Sequence, residues 1–297
     1  MQESILYFFR DISNPVLDKI FTIITMLGEE YFIIAVISLV YWNISKRYGF
    51  ILTLSFLVSA ASSEILKLLF HTKRPFEVLE NLRPVRVETA LGYSFPSGHT
   101  QAATSFFVTG SLFYKKINLV ILALVISALV ALSRLYLRVH WLIDVIGGLA
   151  IGFVISIIMY FILDEISKNV KRRSMFVLAS FIVTSIALVV LNIFELAAGF
   201  GDIKIKSVFK VLSVLGGCSL GFFLEDKIIK FSNKNSFVKK TIVFVLGIAT
   251  TLFFMIALKK VFPEKYLFDS IRYFFIGFWI AFLYPLLCLN FKLFSRG

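Results

Sequence analysis

Cysteine, histidine and charged residues are all scarce in this sequence, and their scarcity limits the class of protein and the kinds of site that the chain can form. The two cysteines, Cys218 and Cys288, stand within apolar stretches, so we expect buried, reduced side chains rather than a disulfide or a metal site. Charged residues make up 16% of the chain and hydrophobic residues 59%, with a mean hydropathy of +0.88. This balance excludes a soluble domain and is typical of a polytopic membrane protein.

Basic residues outnumber acidic ones by 31 to 18, giving a net charge of +13. They form short clusters between apolar runs rather than one polar face, so we expect no nucleic-acid partner, and the bilayer with its anionic headgroups instead. Residues 1–30 carry charges throughout, unlike a signal peptide, and we expect no cleavage there. The sequence leaves the oligomeric state open.

Apolar segments close to the ~20 residues that cross a bilayer run along the whole chain. They predict an all-α fold, a polytopic transmembrane helical bundle of about nine spans. The predicted spans are 29–45, 50–70, 99–114, 117–138, 141–163, 174–197, 207–224, 241–261 and 271–291.

The chain divides into three parts. Residues 1–28 have apolar side chains at helical spacing and predict an interfacial amphipathic helix, with Asn14 as N-cap, Pro15 at the first helical position and Gly28 after its end. A helix that simply packs on the bundle explains that pattern equally well. Residues 29–165 form a core that carries every motif described below. Residues 166–297 add spans of unknown role, in which glycines such as Gly217 permit close helix packing.

The loops that alternate along the chain predict its orientation. Lysine and arginine are divided almost evenly between the two alternating sets of loops, so their number alone does not decide which set is cytoplasmic. One set of loops is compact, with few acids, and we place it in the cytoplasm; it comprises 46–49, 115–116, 164–173, 225–240 and the C-terminal tail. The motif residues and the long 71–95 loop then face outward.

Two cations, Lys67 and Arg74, stand at the end of the second predicted span. They are seven residues apart, close to two helical turns, and so share a face if the helix continues to Arg74. Pro75 would then end the helix. Glu64, one turn before Lys67, can hold its ammonium group. Taken alone, Lys67 is explained as well by snorkelling to the interface.

The run Pro96-Ser97-Gly98-His99 opens the next span. Proline suits the first helical turn, glycine allows close approach to a ligand, and the free N–H groups at a helix start bind anions. This run predicts a phosphate cradle, although a turn of this kind is by itself more often structural.

His140 and Asp144 are four residues apart and predict a contact on one helical face. Asp144 would accept a hydrogen bond from one imidazole nitrogen and direct the other at a phosphorus atom. Arg134 can offer a bidentate fork to phosphate oxygens. Two of the chain's three histidines, His99 and His140, fall among these motifs, which favours an enzyme.

Together the motifs resemble, in order and spacing, the three-part signature of the type 2 phosphatidic acid phosphatase superfamily. The matching segments are Lys67-x6-Arg74-Pro75, Pro96-Ser97-Gly98-His99 and Ser133-Arg134-x5-His140-x3-Asp144. The resemblance covers about residues 50–165. Phe76 and Glu77 stand where some members repeat Arg-Pro, so further phosphate contacts at that point are not implied.

The resemblance implies a role for each matched residue. In the catalytic set, His140 attacks phosphorus, Asp144 orients His140, and His99 protonates the leaving oxygen. The phosphate-binding residues would be Lys67, Arg74, Ser97, Gly98 and Arg134. No metal or other cofactor is implied, and the sequence shows no carboxylate cluster suited to a divalent ion.

The expected protein is an integral-membrane, metal-independent phosphatase that hydrolyses a lipid phosphate or diphosphate through a phosphohistidine. Undecaprenyl diphosphate and phosphatidate-type lipids are the leading substrates, and a bacterial plasma membrane with an outward-facing site is the expected location. A soluble or sphingoid phosphate ester, such as glucose 6-phosphate or sphingosine 1-phosphate, is the alternative substrate. A non-catalytic lipid-phosphate transporter and a vanadium haloperoxidase are the alternatives from other classes.

Overall fold

The computed structural model describes residues 2–90, 92–200 and 205–296, which are nearly all helical. The described helices are α1 (Gln2–Asp11), α2 (Pro15–Met26), α3 (Glu30–Leu39), α4 (Lys46–Phe70), α5 (Pro75–Val78), α6 (Gly98–Leu112), α7 (Ile117–Tyr136), α8 (Leu142–Ser167), α9 (Val170–Ala198), α10 (Lys206–Leu224), α11 (Phe237–Val261), α12 (Tyr266–Phe278) and α13 (Tyr284–Asn290). Short π-helical turns follow three of them, at Val40–Ile44, Glu225–Ile229 and Trp279–Leu283, and Val87–Thr89 is a 3₁₀ turn. Strands β1 (Phe231–Ser232) and β2 (Ser295–Arg296) pair antiparallel.

The described helices confirm an integral membrane protein. Seven helical stretches are long and apolar enough to cross a bilayer, one of them being Tyr266–Asn290, in which α12 and α13 continue through the π turn. The pair α2 and α3, bent by 45°, can be counted as an eighth. The sequence predicted nine spans. The remaining one corresponds to α6, whose 15 residues fall short of the ~20 that a spanning helix needs, so the ninth span stays a prediction.

Helix α2 begins where the sequence predicted. Asn14 caps α2, its side chain accepting hydrogen bonds from the N–H groups of Val16 and Leu17, and Pro15 is the first helical residue. Tyr136 of α7 joins this segment to the bundle, because its hydroxyl donates to Asp18 over 2.7 Å. The segment therefore packs on α7, while its position at a membrane interface remains a prediction.

One compact unit consists of Met1–Ile34 and Val58–Tyr160. Within it, α6 lies against the start of α8 because α8 presents glycines there. A β-carbon at Gly148 would lie 2.9 Å from the carbonyl oxygen of Ser97, so that only glycine fits. This close approach brings the first turn of α6 beside the first turn of α8.

A second compact unit consists of Ala35–Leu57 and Phe161–Gly297. Its helices α10 and α12 pack closely, as predicted for this glycine-containing segment: a β-carbon at Gly217 would lie 2.1 Å from the carbonyl oxygen of Phe274. Cys218 and Cys288 are buried and free, which confirms their predicted state.

Candidate active site

Every site residue predicted from the sequence lies in the first unit. Lys67 stands near the end of α4, Arg74 just before α5, Ser97 to His99 at the start of α6, Arg134 in the last turn of α7, and His140 with Asp144 at the start of α8. The structure brings most of them into contact: Arg74 and Asp144 both contact His140, the Ser97 N–H donates to the backbone oxygen of Asp144, and Gly98 faces Nζ of Lys67. Arg134 and His99 lie close enough to His140 to contribute to its lowered pKa.

His140 and Asp144 are in contact, with 3.3 Å between Nδ1 of the imidazole and Oδ2 of the carboxylate. His140 itself precedes α8, whereas Asp144 lies in the first turn of that helix. The same oxygen accepts hydrogen bonds from the Ser94 hydroxyl and, over 2.7 Å, from the Trp141 N–H. With Oδ2 fixed by these donors, the Nδ1–H of His140 has a defined acceptor, and Nε2 carries the lone pair.

Arg74 meets His140 from the opposite side. Its Nη1 lies 3.1 Å from Nε2 of His140 and donates to the carbonyl oxygen of Val139 over 3.0 Å. Nε and Nη2 donate to the carbonyl oxygens of Gly92 and Tyr93, at 3.0 and 3.3 Å. The guanidinium is thus buried and fixed on three sides by backbone oxygens, with its charge next to the imidazole.

The backbone between Lys67 and Arg74 decides how the two cations are related. The sequence placed the end of the second span at residue 70, and it put both cations on one helical face only if the helix continued to Arg74. That condition is not met, because α4 ends at Phe70, His71 has φ +49°, and Arg74 is extended. Pro75 begins α5, where its missing N–H is harmless, and Glu77 accepts the Arg74 N–H over 2.7 Å. Lys67 and Arg74 therefore reach the site from different elements rather than from one helical face.

His140 is buried among positive charges. Its burial, together with the charges of Arg74 and Arg134, holds its pKa well below the usual 6.5. The imidazole is therefore neutral at pH 7, and Nε2 carries its lone pair, which faces Nη1 of Arg74.

The start of α6 forms the base of the site. Pro96 precedes the helix, Ser97 is its N-cap, and Gly98 is its first residue. The Ser97 N–H donates to the backbone carbonyl oxygen of Asp144 over 3.0 Å. The N–H groups of the first helical turn, which begins at Gly98, have no acceptor within the helix and are the ones that can bind an anion. A β-carbon at Gly98 would lie 3.3 Å from Nζ of Lys67, which places that ammonium directly over the helix start. Glu64 accepts from Lys67 over 2.5 Å, as predicted from their spacing.

Arg134 is fully buried and only partly paired. Its Nη1 donates to the hydroxyls of Thr25, over 3.1 Å, and Thr89, over 3.4 Å. Nε and Nη2, the two donors of one guanidinium edge, find no hydrogen-bond partner among the residues that the structure describes. Two parallel N–H donors on one planar edge match two oxygens of a phosphate.

His99, in the first turn of α6, faces a carboxylate that the sequence analysis did not single out. Its Nε2 lies 4.0 Å from Oε1 of Glu29, and the same oxygen lies 2.8 Å from Nη1 of Arg86. Glu29 belongs to the turn between α2 and α3, and Arg86 to the loop that follows α5.

Sequence reasoning missed five residues that contact the site: Thr25, Glu29, Arg86, Thr89 and Ser94. Most lie in turns or irregular segments, where no periodicity marks them, and hydroxyl residues are common in any sequence. Ser94 stands three residues before Ser97, and its closeness to that motif was the one available signal.

This arrangement suits transfer of a phosphoryl group. A neutral imidazole oriented by a carboxylate can act as a nucleophile. Cations and the N–H groups of a helix start can stabilise the negative charge on the oxygens of a phosphoryl group under attack. His99, the second histidine, is placed to exchange a proton.

Comparisons with known proteins agree with this chemistry. Residues 48–168 match the PAP2 superfamily, and residues 209–296 match the transmembrane extension of PAP2 superfamily phosphatases. The first match contains all the predicted site residues, and the second covers most of α10 to α13.

Two curated relatives are membrane-lipid phosphatases by name. A phosphatidylglycerophosphatase B from Bacillus subtilis is 28% identical over 54% of this chain and 80% of its own length. An undecaprenyl-diphosphatase from Sulfolobus acidocaldarius is 31% identical over 47% of this chain and 68% of its own. The crystal structure of a transmembrane PAP2-type phosphatidylglycerolphosphate phosphatase from Bacillus subtilis aligns with a TM-score of 0.49 and 27% identity, over 56% of this chain and 85% of that one. From the sequence matches, the chain belongs to the PAP2 superfamily and carries the transmembrane extension of its phosphatases.

Proposed function

We propose that this protein hydrolyses a lipid phosphate or diphosphate in two steps, through a phosphohistidine on His140. The observation that carries the proposal is the pairing of two groups: a neutral, oriented His140 and a buried Arg134 with two adjacent unpaired donors. The two unpaired donors of Arg134 lower the stability of the helical core, because an unsatisfied buried donor costs about 1–3 kcal/mol. An anion with two or more oxygens resolves that cost.

In the first step, Nε2 of His140 forms a bond to phosphorus while the bond to the leaving oxygen breaks. His99 gives its proton to that oxygen, and Asp144 stabilises the charge that the His140 ring acquires. In the second step, water attacks phosphorus, His99 takes a proton from it, and the phosphorus–nitrogen bond breaks. Free phosphate and the starting enzyme result.

The phosphate-binding residues stabilise charge through both steps. Lys67, Arg74 and Arg134 supply cations, and the start of α6, with Ser97 and Gly98, supplies backbone donors. These groups provide the positive charge within the protein, and no metal ion or other cofactor takes part.

The proposed substrate is a lipid, of the undecaprenyl diphosphate or phosphatidate type. Both curated relatives named above act on phosphorylated lipids by their names, and a hydrophobic tail can stay in the bilayer while the headgroup enters the site. A sphingoid or soluble phosphate ester is the second candidate substrate, because a human sphingosine-1-phosphate phosphatase 2 is 30% identical over 45% of this chain, although over only 35% of its own length.

The proposal includes an arrangement in the membrane. We place residues 29–165 as the phosphatase core, with α6 as the ninth span, and residues 166–297 as the added spans. Helices α1 and α2 lie at the interface, so that the first span, 29–45, begins with α3, and the site faces outward from a bacterial plasma membrane. Labelling of single cysteines in the 71–95 loop of intact cells, with a reagent that cannot cross the membrane, tests the orientation.

A panel of lipid phosphates tests the function. Purified protein in detergent should release phosphate from one of the lipids, and His140→Ala should abolish release. His71→Ala is the matched control, since His71 is an exposed histidine outside the site. Phosphate binding without turnover would favour a transporter, and halide-dependent peroxide chemistry with bound vanadate would favour a haloperoxidase.

The nucleophile can be identified directly. With a lipid labelled in its phosphate, alkaline quenching should trap label on the wild-type protein, because phosphohistidine survives base and is lost in acid. The label should be absent from His140→Ala and present on His71→Ala. Label that persists on His140→Ala would assign the nucleophile to another residue.

A further inference from the structure

The turn between α2 and α3 lies directly against His99. Gly28 leaves no room for a side chain, because a β-carbon there would lie 2.5 Å from the carbonyl oxygen of His99 and 3.0 Å from Cγ1 of Val130. The next residue, Glu29, has its Oε1 4.0 Å from Nε2 of His99. Both contacts come from a segment that precedes the matched residues 48–168.

Glu29 is held in this position by a second partner. Its Oε1 lies 2.8 Å from Nη1 of Arg86, and its side chain is 15% exposed. Nε2 of His99 is buried and finds no hydrogen-bond partner among the described residues. The 4.0 Å between Nε2 and Oε1 is about 1 Å more than a hydrogen bond, and catalytic hydrogen bonds often tighten only when substrate binds.

His99 is otherwise surrounded by positive charge. Lys67 from α4, Arg74 before α5, Arg86 from the following loop and Arg134 from α7 all act on it. His140, before α8, is the other titratable group nearby. Each cation disfavours a protonated imidazole, yet a general acid must carry a proton when the leaving oxygen departs. Glu29 is a carboxylate that faces the ring, and an opposite charge favours the protonated form.

We propose that Glu29 is the positioning residue of His99: its carboxylate accepts a hydrogen bond from Nε2 and keeps the ring protonated, so that Nδ1 delivers a proton to the leaving oxygen. The attacking water returns that proton to Nδ1 in the second step. This inference rests on the proposed role of His99 as general acid.

Glu29→Gln tests the proposal, because it keeps the shape of the side chain and removes its charge. On phosphatidate, whose alkoxide leaving group needs a proton, kcat should fall by about 10- to 100-fold with little change in KM. On p-nitrophenyl phosphate, kcat should fall by less than about threefold. The alkaline limb of kcat on phosphatidate should move to lower pH, since His99 loses its proton more easily without the carboxylate. Glu30→Gln, the same charge change at the exposed neighbouring position, should leave all four values unchanged.

A double substitution separates this inference from the proposed function. If Glu29 acts through His99, Glu29→Gln should cost nothing further in a His99→Ala background. Should His99→Ala show the leaving-group dependence and Glu29→Gln lack it, Glu29 has no such role, while the proposed function stands. Should His99→Ala affect both substrates equally, His99 is not the general acid, and the inference fails with that assignment.

A folding defect has its own signature. Equal losses on both substrates, together with a lowered unfolding temperature, would mean that Glu29 only supports the fold and would overturn the proposal. Glu29→Asp then provides a second variant for the same kcat measurements, because it keeps the negative charge but moves it one methylene further from His99. It should show a smaller loss than Glu29→Gln, again confined to phosphatidate, and a loss on both substrates would contradict the proposal in the same way.

Discussion

Nη1 of Arg74 lies 3.1 Å from Nε2 of His140, the nitrogen proposed to attack phosphorus. Asp144 faces Nδ1, so the lone pair is on Nε2 and accepts a hydrogen bond from the guanidinium. An electron pair held by that hydrogen bond cannot attack. In the proposed reaction, a phosphate oxygen that binds Arg74 draws Nη1 away from Nε2, so that binding of the substrate also releases the nucleophile.

We expect Arg134 to bind phosphate and, in the absence of phosphate, to lower the stability of the folded protein. Arg134→Met keeps much of the side-chain volume and removes two unpaired buried donors, so we expect an unfolding temperature in phosphate-free buffer at or above that of the wild type. Vanadate, which mimics the five-coordinate state, should inhibit the wild type competitively and raise its unfolding temperature, and should do neither to Arg134→Met. Thermal unfolding with and without vanadate measures both effects.

Arg138 provides the matched control. It is equally buried, but it donates to the carbonyl oxygens of Arg83 and Phe9 and to the Ser13 hydroxyl. Arg138→Met should therefore lower the unfolding temperature and preserve the vanadate response of the protein that remains folded. The opposite pattern for the two arginines would contradict the assignment of Arg134 as the phosphate ligand.

Asp144→Asn should separate orientation of His140 from binding of phosphate. The amide keeps the shape but removes the charge and can present a donor to Nδ1, so kcat should fall by about 10²- to 10⁴-fold while vanadate affinity changes little. Ser94→Ala removes one of the donors to Asp144 and should cause a smaller loss of kcat. Paired steady-state rates and vanadate inhibition curves measure both. If Asp144→Asn lost vanadate affinity as severely as Arg134→Met, Asp144 would be organising the phosphate site.

The pH dependence of kcat should reflect the neutral state of His140. Its pKa lies well below 6.5, so protonation of the nucleophile, and with it the acid limb of kcat, should appear only well below pH 6.5. The same shift affects stability: between the folded pKa and about 6.5 the unfolded chain binds this proton and the folded chain does not, so stability falls as the pH drops through that window. An acid limb at or above pH 6.5 would show that His140 is not held neutral.

Chelators should leave activity intact. In the proposed site, Lys67, Arg74 and Arg134 supply the positive charge that a metal ion provides in metal-dependent phosphatases, so phosphate release should be unchanged after dialysis against excess EDTA. Loss of activity in EDTA, with recovery on addition of Mg²⁺, would contradict this prediction. Inactivation that no divalent ion reverses would instead indicate damage to the detergent-solubilised protein.

Short-range spacing predicted the parts of the site whose residues lie within four positions of each other in the chain. Glu64 and Lys67, three residues apart, form an ion pair, and His140 contacts Asp144 at a separation of four, although only Asp144 is helical. Such pairs follow from the geometry of a helical turn. The cap at Asn14 was predictable for the same reason, since its side-chain oxygen accepts from N–H groups only two and three residues further along the chain.

The parts that could not be predicted depend on irregular backbone. Arg74 is fixed by carbonyl oxygens of residues 92, 93 and 139, and no periodicity indicates that an extended residue will meet them. Glu29 and Thr25 reach the site from a segment far away in sequence, through contacts that depend on how α2 packs against α7. Both cases are tertiary contacts, for which the local sequence contains no signal.

The first compact unit is built from two separate stretches, Met1–Ile34 and Val58–Tyr160, and the second from the two that remain. No single cleavage of the chain can release either unit whole. A fragment that begins at the matched residue 48 loses the turn that contacts His99, as well as the hydroxyl of Thr25 that holds Arg134. A shortened chain that keeps this site would therefore need residues 1–34 as well, and it would have to keep α4 from Lys46, because a start at residue 58 divides that helix.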